Sequence, residues 1–146
     1  MPRYFSLREA QDLLPVLEKE FRQAMRIREE LDAAANGLAG YSKHLFLAGG
    51  AIVDQRKFLS LRGRRDALAR RLKEVIDGIQ EYGCQVKDLE LGLLDFPTLY
   101  RGKEVCLCWR LGEPEIAFWH EVDEGYKGRK PIDQAFLENH RGDRRC

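Results

Sequence analysis

The sequence predicts an α+β fold, a long antiparallel helical hairpin followed by a small antiparallel β-sheet, in a single domain over residues 1–146. Three observations carry this. Apolar residues recur at helical spacing up to about residue 82, the period turns to alternation after Gly83, and Gly and Pro cut the second half into short runs. The helical part covers about 6–82, the β part about 84–123, and a tail follows over 126–146. The length suits one domain of roughly 150 residues.

The first helix is expected to start at Ser6-Leu7-Arg8-Glu9, a capping box in which hydroxyl and carboxylate each satisfy the other residue's backbone amide. Leu14, Leu17, Phe21, Ala24, Leu31, Ala35 and Leu38 follow at alternating three-and-four spacing, the seam of one helix packed on another. Arg28 interrupts the seam, Pro15 should kink the helix or split off a leading segment, and Asn36-Gly37 with Gly40 should end it. A second helix is expected from about Ser42 to Tyr82, closed by Gly83. Its apolar stripe changes sides near residue 60. Leu45, Ala48, Ile52 and Leu59 share one face, and Leu61, Leu68, Leu72, Val75, Ile76 and Ile79 share nearly the opposite one. The later stripe would cover the sheet, and the earlier one offers a homodimer contact. Gly49-Gly50 and Gly63 are candidate breaks.

Strands are expected at Cys84–Asp88, Gly92–Phe96, Glu104–Leu111 and Ile116–Val122. Turn signals at Gly112-Glu113-Pro114 join the last two as a hairpin. Pairing Arg110 with Ile116 sets Cys108 against Phe118 and Cys106 against His120. Cys106, Cys108, Arg110, Phe118 and His120 then share one face, with Leu107, Trp109, Trp119 and Glu121 on the other. The residues after Ile132 read as a frayed end.

The formal charge of +1 is a cancellation. Residues 36–83 hold nine basic and five acidic groups, whereas residues 84–125 hold four basic and nine acidic. Between 56 and 73 eight cations face Asp66 alone, but helical projection spreads them around the circumference and no aromatic residues interleave. That favours a solvated face over nucleic acid. No apolar run approaches the ~18 residues of a membrane span, and the opening residues, followed at once by charged ones, are not expected to act as a signal peptide. A cytoplasmic protein without a membrane partner is expected. The four cysteines contain no C-x-x-C and suit reduced thiols or occasional ligands.

Three kinds of site can be built from Asp95, Cys108, Arg110, His120, Glu121 and Arg129. Cys106, Cys108 and His120, with a carboxylate from Asp95, Glu121 or Asp123, would suit zinc or iron. Cys108 and His120 could form a thiol dyad oriented by Asp95 or Glu121. Arg110 with Gly128-Arg129-Lys130-Pro131 could hold an anion, against the alternative of Arg110 paired internally with Asp95 or Glu113.

Gly92-Leu93-Leu94-Asp95-Phe96-Pro97, Glu104-Val105, Leu107-Cys108-Trp109-Arg110, Gly112-Glu113, Trp119-His120-Glu121 and Gly128-Arg129 follow in order, after an opening Tyr4-Phe5-Ser6-Leu7-Arg8-Glu9-Ala10 with Leu13-Leu14-Pro15. This pattern resembles a bacterial family of unknown function, number 2203 in the domain-of-unknown-function series. The resemblance implies a small soluble prokaryotic protein and no particular activity. Cys84, Cys106 and Cys146 match nothing in the pattern. The functional reading is a non-catalytic interaction or ligand-binding domain, with metal binding through the hairpin. A metal- or thiol-dependent enzyme using Cys108 and His120, and anion or nucleic-acid binding through the basic second helix, stand as alternatives.

Overall fold

The computed structural model of the protein describes residues 3–47 and 55–143. Helix α1 runs from Leu7 to Leu47 and α2 from Gln55 to Glu81. Strands β1 (Gln85–Asp88), β2 (Leu93–Tyr100), β3 (Lys103–Arg110), β4 (Phe118–Glu121) and β5 (Lys130–Pro131) form an antiparallel sheet in that order. A short helix α3 (Gln134–Asn139) and strand β6 (His140–Arg141), paired to β2, close the described chain. The architecture is the α+β hairpin and sheet expected.

The capping box forms as its residue types require. The Glu9 amide donates to Ser6 Oγ at 3.1 Å, and the Ser6 amide donates to Glu9 Oε1 at 3.2 Å. Beyond it α1 is longer than local propensity suggests. It passes without a break through Pro15, Gly37 and Gly40, where a split or an end was expected. Pro15 lies on the exposed side. Leu38, beyond Gly37, is buried, and packing at that position offsets the ~1 kcal/mol per glycine that local preference charges. Residues 42–47 therefore belong to α1, and the hairpin reverses between Leu47 and Gln55 rather than near residue 39.

That reversal explains the change of stripe near residue 60. Leu45 stands on α1 and Leu59 on α2, so the expected dimer face is not a face of one helix. Ala48, Ile52 and the Gly49-Gly50 break lie outside the described residues, and Gly63 sits inside an unbroken α2. On α2 the positions 58, 61, 65, 68, 72, 75 and 79 repeat the three-and-four spacing of α1, so the two helices share a coiled-coil seam. Arg65, on that seam, turns its guanidinium to Asp66 at 2.9 Å, and Arg28 reaches Asp32 at 3.9 Å.

The sheet packs its inner face on the first half of α1. Ala10, Leu14, Leu17, Phe21 and Ala24 meet Leu94, Phe96, Leu107 and Trp109, with Ile79 the one fully buried contribution of α2 to this core. So α1, not the later stripe of α2, is the main cover of the sheet. Strand β2 continues through Pro97, where an end was expected. The Pro97 carbonyl accepts the Phe5 amide at 2.7 Å, on the edge away from β3, so its missing N–H removes no ladder bond. Gly83, at φ +106, ends α2, and a Cβ there would stand 3.0 Å from the Arg3 side chain.

The tail is ordered as far as Asp143 and not frayed. Phe136 of α3 is fully buried and stacks on Tyr100 at 4.8 Å and on Trp119 at 5.1 Å. His140 accepts the Leu7 amide at 3.0 Å through Nε2, which ties the end of the described chain to the start of α1.

Candidate functional site

The outer face of the sheet carries a polar cluster whose positions follow from strand register. Asp95 of β2 lies directly across from Cys108 of β3, and Cys106 of β3 lies across from His120 of β4. The β3–β4 register is the one expected from the turn signals. Because alternate residues share a face, Asp95, Cys106, Cys108 and His120 all stand on the side away from α1. All four are buried.

Both ring nitrogens of His120 are engaged, Nδ1 within its own strand and Nε2 across to β2. Nδ1 lies 2.7 Å from the Glu121 carbonyl, and Nε2 lies 3.0 Å from Asp95 Oδ1. A carbonyl can only accept, so Nδ1 carries a proton, and the Nε2 proton faces a carboxylate. The Asp95 carboxylate, and next the Cys108 thiol, hold the imidazole cationic, with its pKa pushed up to about 10. Burial, and then the neighbouring Asp95 charge, pushes the Cys106 thiol up to about 12. The second carboxylate oxygen, Asp95 Oδ2, is buried without a hydrogen-bond partner. Among the described residues, ligand atoms of Asp95, Cys106 and His120 lie within 4.8 Å of one another.

A cavity of about 420 Å³ opens beside the cluster, with Asp95, Cys108 and His120 in its wall. Lys87, Asp88, Asp123, Glu124 and Tyr126 complete its polar lining, and Leu91 and Leu93 supply apolar surface. The reading from sequence missed Lys87 and Tyr126. Lys87 enters at a break in the β1–β2 register between Val86 and Asp88, and Tyr126 enters on a 3₁₀ turn, Tyr126–Gly128. Neither position carries a periodic signal.

The remaining expected site residues are placed elsewhere. The Arg110 side chain pairs with neither Asp95 nor Glu113. Its guanidinium donates to the Tyr126 hydroxyl at 3.0 Å, and only its backbone amide reaches Glu113. Arg129 donates to both Glu113 carboxylate oxygens at 2.7 Å and lies over the Phe118 ring at 4.0 Å. Lys130 pairs with Glu124 at 3.1 Å. The Gly128–Pro131 loop thus spends both cations on internal carboxylates, which already occupy the position an anion would take. Glu121 points to the opposite face from His120 and pairs with Lys103 at 2.9 Å. Strand alternation excludes it from the cluster.

Residues 3–132 match the model of a family described as "Uncharacterized conserved protein (DUF2203)". The chain belongs to that family. No curated protein and no solved structure matches it. The DUF2203 match spans both helices, the cavity wall and the four clustered residues, and it stops before α3, so Phe136 and the His140 tie lie beyond it. The family description assigns no activity. What this DUF2203 chain does must be read from the cluster itself.

Proposed function

We propose that the protein binds a transition-metal ion of the zinc type through Asp95, Cys106 and His120. One observation carries the reading. A carboxylate, a thiol and an imidazole converge within 4.8 Å in a buried setting, and one carboxylate oxygen has no partner. A buried polar atom without a partner costs about 1–3 kcal/mol, which a ligated cation would relieve. Sulfur, nitrogen and oxygen donors together suit zinc, and iron less closely. The Nδ1–H bond to the Glu121 carbonyl holds the ring with Nε2 toward the cluster, the arrangement that orients a metal-ligating histidine. Binding would displace the protons now held by Nε2 and the Cys106 sulfur.

A thiol-dependent enzyme draws less support. A base must accept the thiol proton, and both His120 nitrogens already serve as donors. Binding of anions or nucleic acid along α2 is weakened by the pairing of its cations. Arg62 and Arg65 reach Asp66, and Lys73 reaches Asp77 at 2.6 Å.

Cobalt titration of chelator-treated protein tests the reading. One equivalent should give a thiolate-to-metal charge-transfer band, absent in Cys106→Ala and unchanged in Cys84→Ala. No band, or an equal band in Cys106→Ala, would overturn it.

A further inference from the structure

The cavity beside the cluster holds more charge than a metal ion alone would use. Lys87 and Asp88 are neighbours on β1, and neighbouring side chains of a strand ordinarily point to opposite faces. Here both line the cavity of about 420 Å³, because the β1–β2 register breaks between Val86 and Asp88. A bulge of this kind re-aims a side chain, and bulges concentrate next to active sites. Asp123 and Tyr126 enter the same cavity from the segment after β4.

Both signs of charge are left unpaired there. Among the described residues Lys87 forms no ion pair, although Asp88 and Asp123 line the same cavity. Asp88 engages one oxygen with the Leu91 amide at 2.8 Å, and Glu124 is taken by Lys130 at 3.1 Å. The Tyr126 hydroxyl accepts from Arg110 and keeps its own proton to donate. Asp95, 2% exposed, stands in the same wall with Oδ2 unpartnered.

Two of the three proposed metal ligands, Asp95 and His120, belong to this wall, so an ion held by them borders the cavity. Cys108 stands there as well, but it is not in the group of mutually close ligand atoms. Three protein donors leave one position of a tetrahedral ion open, as in zinc sites that bind substrate. The volume falls within the ~300–1,000 Å³ of small-molecule sites.

We propose that this cavity binds a small zwitterion, an α-amino acid with an apolar side chain, at the open position of the ion. Its carboxylate meets the ion, Lys87 and the Tyr126 hydroxyl, its ammonium meets Asp88 and Asp123, and its side chain lies on Leu91 and Leu93. A simple anion would leave two carboxylates facing it, and a simple amine would face Lys87. Only a ligand carrying both charges answers both. The inference rests on the metal reading.

Titration of cobalt-loaded protein with leucine tests it. The ligand-field bands should shift while the thiolate charge-transfer band stays, which shows the ion still on the protein. N-acetyl-leucine, which lacks the ammonium, and leucinamide, which lacks the carboxylate, should each bind about tenfold or more weakly. Lys87→Gln and Asp123→Asn should weaken leucine binding by a similar factor, with one equivalent of cobalt still bound and circular dichroism unchanged. A charge-transfer band with no shift on adding leucine would overturn this inference and leave the metal reading standing, and so would equal shifts from all three compounds. No charge-transfer band at all would overturn both.

Discussion

The two faces of the sheet are made from alternate residues of the same strands, and both are buried at their centre, yet the chemistry there differs. Leu94, Phe96, Leu107 and Trp109 point inward to α1, while Asp95, Cys106 and Cys108, their immediate neighbours in sequence, point outward with His120. On the inner face burial is its own reason, because apolar area leaves water at about 25 cal/mol per Å². On the outer face the His120–Asp95 ion pair leaves water with no such gain. A buried pair is weak evidence of stability, since desolvation can exceed the attraction it wins. A face that stability does not explain is where a function is to be sought.

The largest expected effect falls on the inner face. Trp109 is 1% exposed, packs in the core and donates its indole N–H to the Glu113 carbonyl at 3.0 Å. Trp109→Ala should cost about 3–5 kcal/mol of unfolding free energy, seen as a lower urea midpoint. The comparison predicts that Cys106→Ala, which removes one small side chain from the outer face, costs far less while abolishing cobalt binding. Equal losses of stability from the two variants would break the distinction between the faces.

Much of this arrangement was legible in the sequence, and the limits have physical causes. The capping box and the β3–β4 register were readable because each depends on residues close in the chain: Ser6 with Glu9, and a hairpin turn at Gly112-Glu113-Pro114. Helix ends were misread where distant packing overrides local preference, as at Gly37 and Gly40. His120 and Cys108 were legible as neighbours on one face, but the bond from His120 to Asp95 crosses β3 and needs the β2–β3 register too. That register is set at Arg101-Gly102, where Arg101 takes φ 52 and Gly102 φ 79, and from there Asp95 falls across from Cys108. Arg129 was legible as a cation near the hairpin, whereas its partner Glu113 lies 16 residues away with no pattern to join them. The order of the tail was illegible for the same reason, because Phe136 and His140 find partners in β2, β4 and the start of α1.

A smaller effect sharpens the comparison through pH. In metal-free protein the groups facing His120 are Asp95 of β2, Cys106 and Cys108 of β3, and Glu124 of the loop that follows β4. Its folded pKa of about 10 stands above the ordinary value of 6.5. The native state therefore holds this proton more tightly than the unfolded chain does. Its stabilisation is fully present below about pH 6.5 and is lost as pH rises toward 10. Urea midpoints of chelator-treated protein should fall between pH 7 and pH 10, and Asp95→Asn should flatten the slope. An unchanged slope in Asp95→Asn would mean that the pair does not hold the proton.

The smallest effect belongs to a pair that resembles the buried one in contact distance and differs in solvent. Lys103 and Glu121 meet at 2.9 Å, almost the separation of His120 and Asp95, but the lysine side chain is 72% exposed. Water screens that attraction, and ordering a long flexible side chain offsets most of what is left. Lys103→Ala should shift stability by less than about 1 kcal/mol, and added salt should erase the difference, since exposed charges are screened over roughly 10 Å at 0.1 M. The His120–Asp95 pair, with side chains 4% and 2% exposed, should keep more of its contribution in the same salt. A salt titration of the urea midpoint in Lys103→Ala and Asp95→Asn reads both at once. If the two variants responded alike, burial would not be what separates the outer face of the sheet from its rim.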